Sequence, residues 1–430
     1  MDIPNNKILL PKQELPRSWF NVLPELPEPL EPYLGPDGQP LSPSVLEVIF
    51  PPSLIEQELS PVIEHPIAEP ILKALALWRP TPMVRAYRLE KALGVKSRLY
   101  FKDESVSPSG SHKSNTALAQ AYFNSQAGIK RLTTETGAGQ WGTALAIAAR
   151  EFGLRVRVFM VRVSLKQKPY RKTIMNLMGA EVLPSPSEAT ISGRAALAAN
   201  PETLGTLGLA ISEAVEEAAN QSDTNYALGS VLNHVILHQT IIGLEVQKQL
   251  KLAGETPDYL IACHGGGSNF GGLVAPFVPN LKNGEPIKCV AVEPQSCPTL
   301  TKGQYRYDKG DAAGLTPSMP MYTLGTDFQP PAIHAGGLRY HGSSPIISSL
   351  LKSKLIQAAA VSADDVFKFA QIFAGSEYII PAPESAHALA YSCLKALELE
   401  QEGKSSTIVF TLSGHGLMDL SAYETSLNGK

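Results

Sequence analysis

Lys113 is the residue whose surroundings most strongly indicate covalent chemistry. It follows a loop of small polar residues, 107–111, and stands beside His112 and Asn115 at the predicted start of a helix. A lysine amine can form a Schiff base with the aldehyde of pyridoxal phosphate, which then acts as an electron sink. Because most loop lysines are solvated charges, this interpretation depends on the glycine-rich segments elsewhere in the chain.

Three glycine-rich segments follow apolar runs that are typical of strands. They are residues 136–142, residues 265–269 (Gly-Gly-Gly-Ser-Asn) and residues 413–416 (Ser-Gly-His-Gly). Glycine has no Cβ, so backbone N–H groups can turn towards an anion. Residues 265–269 are therefore the best candidate for a phosphate site, and a tight strand-to-helix turn without a ligand is the alternative.

Gly137, Gly139 and Gly142 match the dinucleotide-binding spacing G-x-G-x-x-G. That motif also expects an acidic residue about 20 positions further on, where the ribose would bind. Residues 157–162 read Arg-Val-Phe-Met-Val-Arg and contain no acid. A nicotinamide-dependent oxidoreductase therefore remains an alternative with half of its signature missing.

His234 and His238 have the i, i+4 spacing of a metal-binding pair on a helix. The glutamate of an H-E-x-x-H zinc motif is absent between them. We therefore interpret both as structural residues, and the sequence predicts no metal site formed by side chains.

Short strands and helices alternate along most of the chain. Strands are predicted over 98–102, 129–134, 154–163, 259–263, 287–292 and 407–412, and helices over 115–126, 142–152, 172–178, 232–252 and 386–399. This alternation predicts an α/β fold with mainly parallel sheets covered on both faces. At about 100–200 residues per domain, 430 residues indicate two lobes. Ligands in such folds bind beyond the carboxyl ends of the strands.

Composition excludes several classes of protein. Lys and Arg number 37 and Asp and Glu 40, a net charge of −3, which gives no electrostatic reason to expect nucleic acid or an anionic membrane as a partner. The four cysteines form no C-x-x-C pair, as suits a reducing compartment. The N-terminus lacks a signal-peptide pattern, and no run of about 18 apolar residues could span a bilayer. We therefore expect a cytoplasmic protein without a membrane partner.

The first 52 residues hold 12 of the 35 prolines. Such spacing prevents a long helix and favours extended backbone. Because Trp19, Phe20, Leu23 and other apolar residues are interleaved with the prolines, we expect an extended arm that wraps the body or a partner subunit. A disordered tail is the alternative.

Six segments together resemble the β chain of tryptophan synthase, a fold-type II pyridoxal-phosphate enzyme. They are 79–82 (RPTP), 110–115 (GSHKSN), 135–142 (ETGAGQWG), 265–269 (GGGSN), 381–385 (PAPES) and 413–416 (SGHG). The likeness runs from about residue 70 to 425, and the proline-rich arm and residues 336–342 are similar to the longer second subtype. It implies two three-layer αβα lobes: a smaller mobile lobe over 112–230, and a larger cofactor-binding lobe over 71–111 and 231–430, with the arm over 1–70.

The resemblance also implies a role for each site residue. Lys113 would form the Schiff base and move the proton at the substrate α-carbon, and Glu135 would be the acid–base residue beside the β-carbon and indole. The implied cofactor-binding residues are His112, Lys113, Gly265, Gly266, Gly267, Ser268, Asn269, Glu384 and Ser413. The implied substrate-binding residues are Thr136, Gly137, Ala138, Gly139, Gln140 and Arg339. A neutral Ser413 can hydrogen-bond a pyridine nitrogen without forcing its protonation.

The implied reaction is a β-replacement that condenses L-serine with indole to give L-tryptophan and water. Trp141 stands where the commoner β chains have histidine, and Arg339 lies in the region of an aspartate that contacts the serine hydroxyl. A cation there would favour O-phospho-L-serine as an alternative donor. A serine or threonine deaminase, or another β-substituting enzyme of this fold type, is the alternative function, and a non-catalytic binding protein fits least well.

The family further implies a homodimer, a tryptophan synthase α subunit as a partner, and a monovalent cation held by backbone carbonyls. The long arm leaves α-subunit binding open.

Overall fold

The computed structural model describes residues 6–428 of the chain. Its strands are β1 (Lys7–Ile8), β2 (Ser18–Phe20), β3 (Glu64–Pro66), β4 (Met83–Arg85), β5 (Arg98–Asp103), β6 (Arg131–Thr136), β7 (Arg155–Val161), β8 (Glu181–Ser185), β9 (Thr224–Tyr226), β10 (Tyr259–Cys263), β11 (Lys288–Pro294), β12 (Gln304–Lys309), β13 (Ser318–Thr323), β14 (Gln357–Val361) and β15 (Thr407–Leu412). The first five residues, on which the signal-peptide interpretation partly rests, lie outside the described range.

The α-helices are numbered in the same way. They are α1 (Pro43–Leu46), α2 (Pro52–Leu59), α3 (Glu69–Leu75), α4 (Tyr87–Leu93), α5 (Ser114–Gln126), α6 (Gln140–Glu151), α7 (Arg162–Gln167), α8 (Pro169–Leu177), α9 (Ile191–Ala199), α10 (Leu207–Ala219), α11 (Asn233–Gln239), α12 (Ile241–Ala253), α13 (Ser268–Val274), α14 (Val278–Lys282), α15 (Pro345–Lys352), α16 (Ala363–Glu377), α17 (Pro383–Gln401) and α18 (Leu420–Asn428). Within residues 6–428, none of these helices has both the length and the apolar composition needed to cross a bilayer.

The larger sheet contains seven strands in the order β1-β4-β5-β15-β10-β11-β14. Strands β5, β15, β10, β11 and β14 run parallel to one another. At one edge of the sheet, β4 pairs antiparallel with β5, and β1 pairs antiparallel with β4. Every residue of β10 and β15 is buried, as expected for central strands covered on both faces. Helix α17 packs against both strands, and α13 packs against β10.

The smaller sheet contains four parallel strands in the order β8-β7-β6-β9. Helices α6 and α10 both pack against β6 and β7. The two sheets confirm the predicted α/β fold with mainly parallel strands. Two further antiparallel pairs, β2-β3 and β12-β13, lie outside these sheets.

The predicted helix over 232–252 is two helices in the structure. Helix α11 ends at Gln239 and α12 begins at Ile241, with Thr240 between them. The Thr240 hydroxyl donates to the Leu237 carbonyl at 2.6 Å and accepts from the Phe20 N–H at 3.0 Å. A threonine hydroxyl that bonds to a backbone carbonyl one turn earlier bends helices. The Thr240 hydroxyl therefore separates α11 from α12, and the pattern of apolar residues alone does not predict this break.

The proline-rich N-terminal segment packs on the body of the protein. Strand β1 pairs with β4 of the larger sheet, and β2 pairs with β3. Trp19 is 1% exposed, and its ring lies 4.6 Å from that of His238, centroid to centroid. This segment therefore contributes side chains to the hydrophobic core.

The carboxyl ends of β5, β10 and β15 meet at one edge of the larger sheet, because these strands are parallel neighbours. The segments that contain Lys113, residues 265–269 and Ser413 follow these three strands. Glu135 and Thr136 lie at the carboxyl end of β6 in the smaller sheet. The topology therefore brings the predicted site residues together between the two sheets.

Candidate active site

Lys113 immediately precedes α5, at the end of the loop that follows β5. Its Nζ donates a hydrogen bond to the carbonyl of Gly229 at 3.1 Å. Burial lowers the pKa of the Lys113 amine, because an ammonium loses solvation in the interior, although Glu135 and Glu384 act in the opposite direction. The uncharged, nucleophilic amine is therefore favoured more than in an exposed lysine.

A buried network of charged side chains supports the start of α5. Arg79 pairs with Glu104 at 2.8 Å and with Glu245 at 3.0 Å, and Lys102 pairs with Glu245 at 2.6 Å. All four side chains are fully buried. Arg79 also donates to the Asn115 side chain at 2.9 Å. The network thus joins the 79–82 segment to the helix that begins directly after the lysine, a role that the sequence did not reveal.

Residues 265–267 form a close-packed turn between β10 and α13. A Cβ on the first glycine would lie 2.5 Å from the carbonyl oxygen of Gly337, and one on the second 2.3 Å from Oγ of Ser230. Neither distance is compatible with a side chain, so glycine is required at both positions. The turn and Ser268 line one pocket, and backbone N–H groups of such glycine turns can bind an anion.

His112 lies beside this turn. Its Nε2 is 3.2 Å from Oγ of Ser268, and its backbone N–H donates to the Ser413 carbonyl at 2.9 Å. Burial lowers the pKa of His112 to about 3, so the ring is uncharged near neutral pH. His112 therefore acts as a hydrogen-bonding group and not as a cation.

Ser413 and Asn269 lie at the base of the same pocket. The Ser413 hydroxyl is 2.7 Å from that of Ser385 and 3.5 Å from the sulfur of Cys263. The Asn269 amide donates to Oγ1 of Thr411 at 2.9 Å, whereas its Oδ1 has no hydrogen-bond partner among residues 6–428. A buried acceptor without a donor is unfavourable, which is consistent with a polar ligand at this point.

Glu135 is the buried acid of the site. Its Oε2 accepts a hydrogen bond from the Tyr226 hydroxyl at 2.6 Å. Burial raises the pKa of the Glu135 carboxyl to about 7, although the Tyr226 hydrogen bond acts in the opposite direction. A carboxyl with this pKa can both give and take a proton near neutral pH.

Glu384 and Gln140 link the two halves of the site. The Gln140 amide donates to Oε2 of Glu384 at 3.0 Å, and the Gly337 N–H donates to Oε1 at 2.9 Å. Burial would raise the pKa of Glu384, but the Lys168 charge and these hydrogen bonds lower it. Glu384 therefore ionises at lower pH than Glu135.

Two adjoining cavities contain most of the predicted residues. The polar pocket is lined by Ser111, His112, Lys113, Gln140, Ser230, Cys263, residues 265–269, Gly337, Leu338, Ala382, Glu384, Ser413 and Gly414. The apolar cavity is lined by Lys113, residues 135–138, Gln140, Trp141, Tyr226, Gly266, Gly337 and many aliphatic and aromatic side chains, among them Leu46, Phe50, Leu54, Ile55, Ile211, Leu228 and Met319. Lys113 lies at the boundary and lines both.

Gly139 and Arg339 are the predicted site residues that line neither cavity. Gly139 directly precedes α6 with φ +93°, a backbone conformation that glycine adopts readily. The Arg339 side chain is buried and donates to Oγ of Ser164 at 3.0 Å.

Sequence reasoning did not single out Tyr226, which contacts Glu135, or Gly229, which contacts Lys113. Tyr226 ends β9 and Gly229 follows it, and this strand of three residues is too short to predict from periodicity. Because β9 is parallel to β6, Tyr226 and Glu135 meet at the same edge of the smaller sheet. A tyrosine near the end of a predicted parallel strand would have been the available signal.

The polar pocket suits an aldehyde that bears a phosphate. It combines a lysine amine of lowered pKa, a glycine turn without room for side chains, two neighbouring hydroxyls and an unpaired amide oxygen. These are the groups that bind the aldehyde, the phosphate and the ring substituents of pyridoxal phosphate. The residues present therefore fit that cofactor.

Comparisons with known proteins agree with this fit. The family model described as pyridoxal-phosphate dependent enzyme matches residues 75–414. The chain is 59% identical to tryptophan synthase beta chain 2 of Thermotoga maritima, over 96% of this chain and 98% of that one. It is 54% identical to the protein of the same name from Aquifex aeolicus, over 99% of each chain.

The fold also has a solved counterpart. A fungal L-serine ammonia-lyase from Rhizomucor miehei superposes with a TM-score of 0.61 at 16% identity, covering 81% of this chain and 97% of that one. The likeness confirms the fold class. The identity and coverage of the β-chain relatives place the sequence more narrowly: the chain belongs to the tryptophan synthase β chain family of pyridoxal-phosphate-dependent enzymes.

Proposed function

We infer that the protein condenses L-serine with indole to give L-tryptophan and water. The observation that carries this inference is the placement of Lys113 at the boundary of a polar pocket and an apolar cavity that also contains Glu135. The polar pocket suits the cofactor, and the apolar cavity suits a flat aromatic acceptor. Family membership supports the same reaction.

Pyridoxal phosphate, when bound, supplies the electron sink that lets the α-proton and then the β-substituent of the amino acid leave. His112, residues 265–269, Glu384 and Ser413 would hold it in the polar pocket. We assign to Lys113 both the covalent attachment and the transfer of the α-proton. Its lowered pKa supports this assignment, because an uncharged amine can accept that proton.

Glu135 serves the two halves of the reaction in turn. Its protonated form gives a proton to the hydroxyl that leaves the β-carbon, and the resulting carboxylate takes the proton from the indole carbon that attacks. A pKa of about 7 supports both steps at neutral pH. The low exposure of the site helps to exclude water, which would otherwise compete with indole.

Lys113→Ala tests the cofactor assignment independently of turnover. We expect loss of the absorbance band that covalent attachment produces and a fall in tryptophan formation of at least about 10²–10⁴-fold, the usual contribution of a proton-transfer group. Exposed Lys166, changed to alanine, is the control and should leave both unchanged. An unaltered cofactor spectrum in Lys113→Ala would refute the assignment.

A serine or threonine deaminase reaction is separated from β-replacement by product analysis. With L-serine and indole supplied together, we expect tryptophan as the main product. Ammonia and pyruvate produced at the same rate with and without indole would favour the deaminase.

O-phospho-L-serine is a second candidate donor because Arg339 carries an unused hydrogen-bond donor. Its Nε has no partner in the described part of the chain. Comparison of kcat/KM for the two donors in wild type and Arg339→Ala tests this role. A larger loss of kcat/KM for the phosphorylated donor supports the role of Arg339, and an equal loss for both donors refutes it.

We also propose that residues 112–230 form a mobile lobe that closes over the substrate, which hydrogen exchange with and without L-serine tests. We propose that the enzyme is a homodimer, which light scattering tests. We propose that an α subunit of the same enzyme family docks on it, which titration with that subunit tests. The monovalent cation site and the cytoplasmic location stay predictions.

A further inference from the structure

A buried hydrogen-bond relay leads from the N-terminal segment to the backbone beside the reactive lysine. The relay joins the side chains of Gln57, His238, Thr116 and Gln120, in that order, and ends at the backbone of Leu228. Gln57 lies on α2, His238 on α11, and Thr116 and Gln120 on α5. The proposed chemistry gives none of these side chains a role.

Gln120 forms the end of the relay nearest the site. Its Nε2 donates to the Leu228 carbonyl at 2.7 Å, and its Oε1 accepts from the Leu228 N–H at 3.1 Å. The next residue is Gly229, whose carbonyl accepts from Lys113 Nζ at 3.1 Å. Since Lys113 directly precedes α5 and Gln120 lies within it, both partners of the Lys113–Gly229 contact are anchored to this helix.

The direction of each hydrogen bond in the relay is determined. Gln57 Oε1 lies 2.7 Å from Nε2 of His238, and because a carbonyl oxygen only accepts, Nε2 carries the hydrogen. Burial lowers the pKa of His238 well below its usual value, so the ring is uncharged and Nδ1 is an acceptor. The Thr116 hydroxyl, 3.0 Å from Nδ1, therefore donates to it, and the same oxygen accepts from Gln120 Nε2 at 2.8 Å.

The relay is closed to solvent. His238, Thr116 and Gln120 are all 0% exposed, and the Trp19 ring covers His238. Water therefore cannot replace a partner that a substitution removes, and a buried polar group without a partner is unfavourable. We expect the side chains and the attached backbone to shift until they are paired again, and the Gly229 carbonyl to move with them.

We propose that the relay positions the Lys113 amine for attack on the aldehyde of pyridoxal phosphate. Its three central side chains, His238, Thr116 and Gln120, are then positioning residues that act through the Gly229 carbonyl. The proposal rests on the role of Lys113 in the proposed function. In this step the amine nitrogen forms a double bond to the aldehyde carbon, and the aldehyde oxygen leaves as water with the two amine hydrogens.

A fixed carbonyl orients the amine because it accepts one of the two N–H groups and so sets the direction of the nitrogen lone pair. Orientation of a nucleophile contributes strongly to its rate of reaction, and a displacement of about 1 Å can cost about 10²-fold. Gln57 makes this orientation depend on the N-terminal segment.

Attachment of the cofactor to the full-length protein from which it has been removed tests the proposal without turnover. The absorbance band of covalent attachment gives the first-order rate at saturating pyridoxal phosphate. Pyridoxine phosphate, which has an alcohol in place of the aldehyde, measures binding without attachment. We expect Thr116→Val, which exchanges the hydroxyl for a methyl group, to slow attachment by about 10- to 100-fold, with the Kd for pyridoxine phosphate changed by less than about threefold.

Three further variants provide the comparisons. Thr116→Ser retains the hydroxyl and should attach the cofactor within about threefold of the wild-type rate. Gln57→Leu, at the far end of the relay, should slow attachment without weakening pyridoxine phosphate. Thr133→Val is the matched control and should leave the rate unchanged. The Thr133 hydroxyl is equally buried, but it donates to the Ala214 carbonyl at 2.8 Å, outside the relay.

An unchanged attachment rate in Thr116→Val would overturn the proposal. Equal slowing by Thr133→Val, or equal weakening of pyridoxine phosphate, would also overturn it, because either result would show a general structural effect. If Thr116→Val does not fold, Gln57→Leu decides the question by the same two measurements. Failure of the wild-type protein to attach the cofactor would instead refute the role of Lys113 in the proposed function.

Discussion

Two buried carboxyl groups in the site behave differently because their neighbours differ. For Glu135 burial dominates, and it raises the pKa to about 7. For Glu384 the Lys168 charge and the Gly337 N–H overcome burial, and the pKa is lowered. Separation of two carboxyl pKa values by their surroundings is a common way to divide acid and base roles. In the proposed function, the charged Glu384 would orient groups and Glu135 would exchange protons.

The pKa of Glu135 predicts opposite pH dependences for the two substrates. Below pH about 7 the carboxyl is protonated and can protonate the leaving group, so kcat/KM for L-serine should fall as pH rises through about 7. The carboxylate that accepts a proton forms above that pH, so kcat/KM for indole should rise over the same range. Steady-state kinetics over a range of pH, with each substrate varied in turn, measure both pH dependences.

Variants of Glu135 and of its hydrogen-bond partner Tyr226 provide the controls. Glu135→Gln should remove both inflections and lower the rate by about 10²–10⁴-fold. Tyr226→Phe removes a hydrogen bond that lowers the pKa of Glu135, so both inflections should move to higher pH. Profiles that keep their inflections in Glu135→Gln would assign them to another group.

At the scale of elements, a short connection after β9 positions the lysine. Gly229 accepts from Lys113 Nζ, and a Cβ at this position would lie 2.6 Å from the ring of Trp141. Trp141 is held in α6, where its Nε1 donates to Oγ1 of Thr134 at 2.6 Å. The indole ring of Trp141 therefore determines that only glycine fits here.

Gly229→Ala should displace the carbonyl that Lys113 contacts. We expect a fall in kcat of about 10- to 100-fold, because a small misplacement of a catalytic group costs up to about 10²-fold. Trp141→Leu in the same chain should restore part of the activity by making room for the methyl group. Gly375→Ala is the control, since its Cβ would meet nothing within 4 Å. Full activity of Gly229→Ala would show that this contact has no catalytic importance.

The network around Arg79 makes a second prediction at this scale. Glu245→Gln leaves Arg79 and Lys102 with one carboxylate between them in a fully buried site. Removing one partner of a buried ion pair destabilises proteins by about 3–5 kcal/mol, and we expect this loss in the free energy of unfolding measured with urea. Glu400→Gln, at the more exposed Lys96 pair, should change that free energy by less than about 1 kcal/mol. Similar values for the two variants would contradict the structural role.

At the scale of the whole molecule, the N-terminal segment belongs to the folded body. Trp19 packs under α11, and α2 supplies Glu58, Leu54 and Ile55 to the apolar cavity. A segment whose strands and helices are all short therefore contributes side chains to both the core and the apolar cavity. Proline-rich backbone suits this task, because its restricted φ angles lower the conformational entropy lost on docking.

Trp19→Ala should lower the free energy of unfolding by about 3–5 kcal/mol, the usual loss for a large buried aromatic residue. Leu9→Ala, at a position that is 60% exposed, should change it by less than about 0.5 kcal/mol. Chemical denaturation of the two variants provides the measurement. A Trp19→Ala protein as stable as Leu9→Ala would mean that the segment docks without contributing to stability.

The sequence by itself determined the fold class and the chemistry-bearing loops. Alternating apolar runs and glycine-rich ends identified β5, β6, β10 and β15, because strand periodicity and turn chemistry are local properties. The same local signals located Lys113, residues 265–269 and Ser413 at strand ends. Parallel pairing then made their convergence predictable in outline.

The tertiary structure alone decided which partners these residues meet. Tyr226 reaches Glu135, Gly229 reaches Lys113, and Glu58 reaches His234 across separations of 91, 116 and 176 residues. Burial, which raises the pKa of Glu135 and lowers that of Lys113, is likewise a property of the packed molecule. No local pattern encodes these pairings, because each depends on how distant elements pack around one cavity.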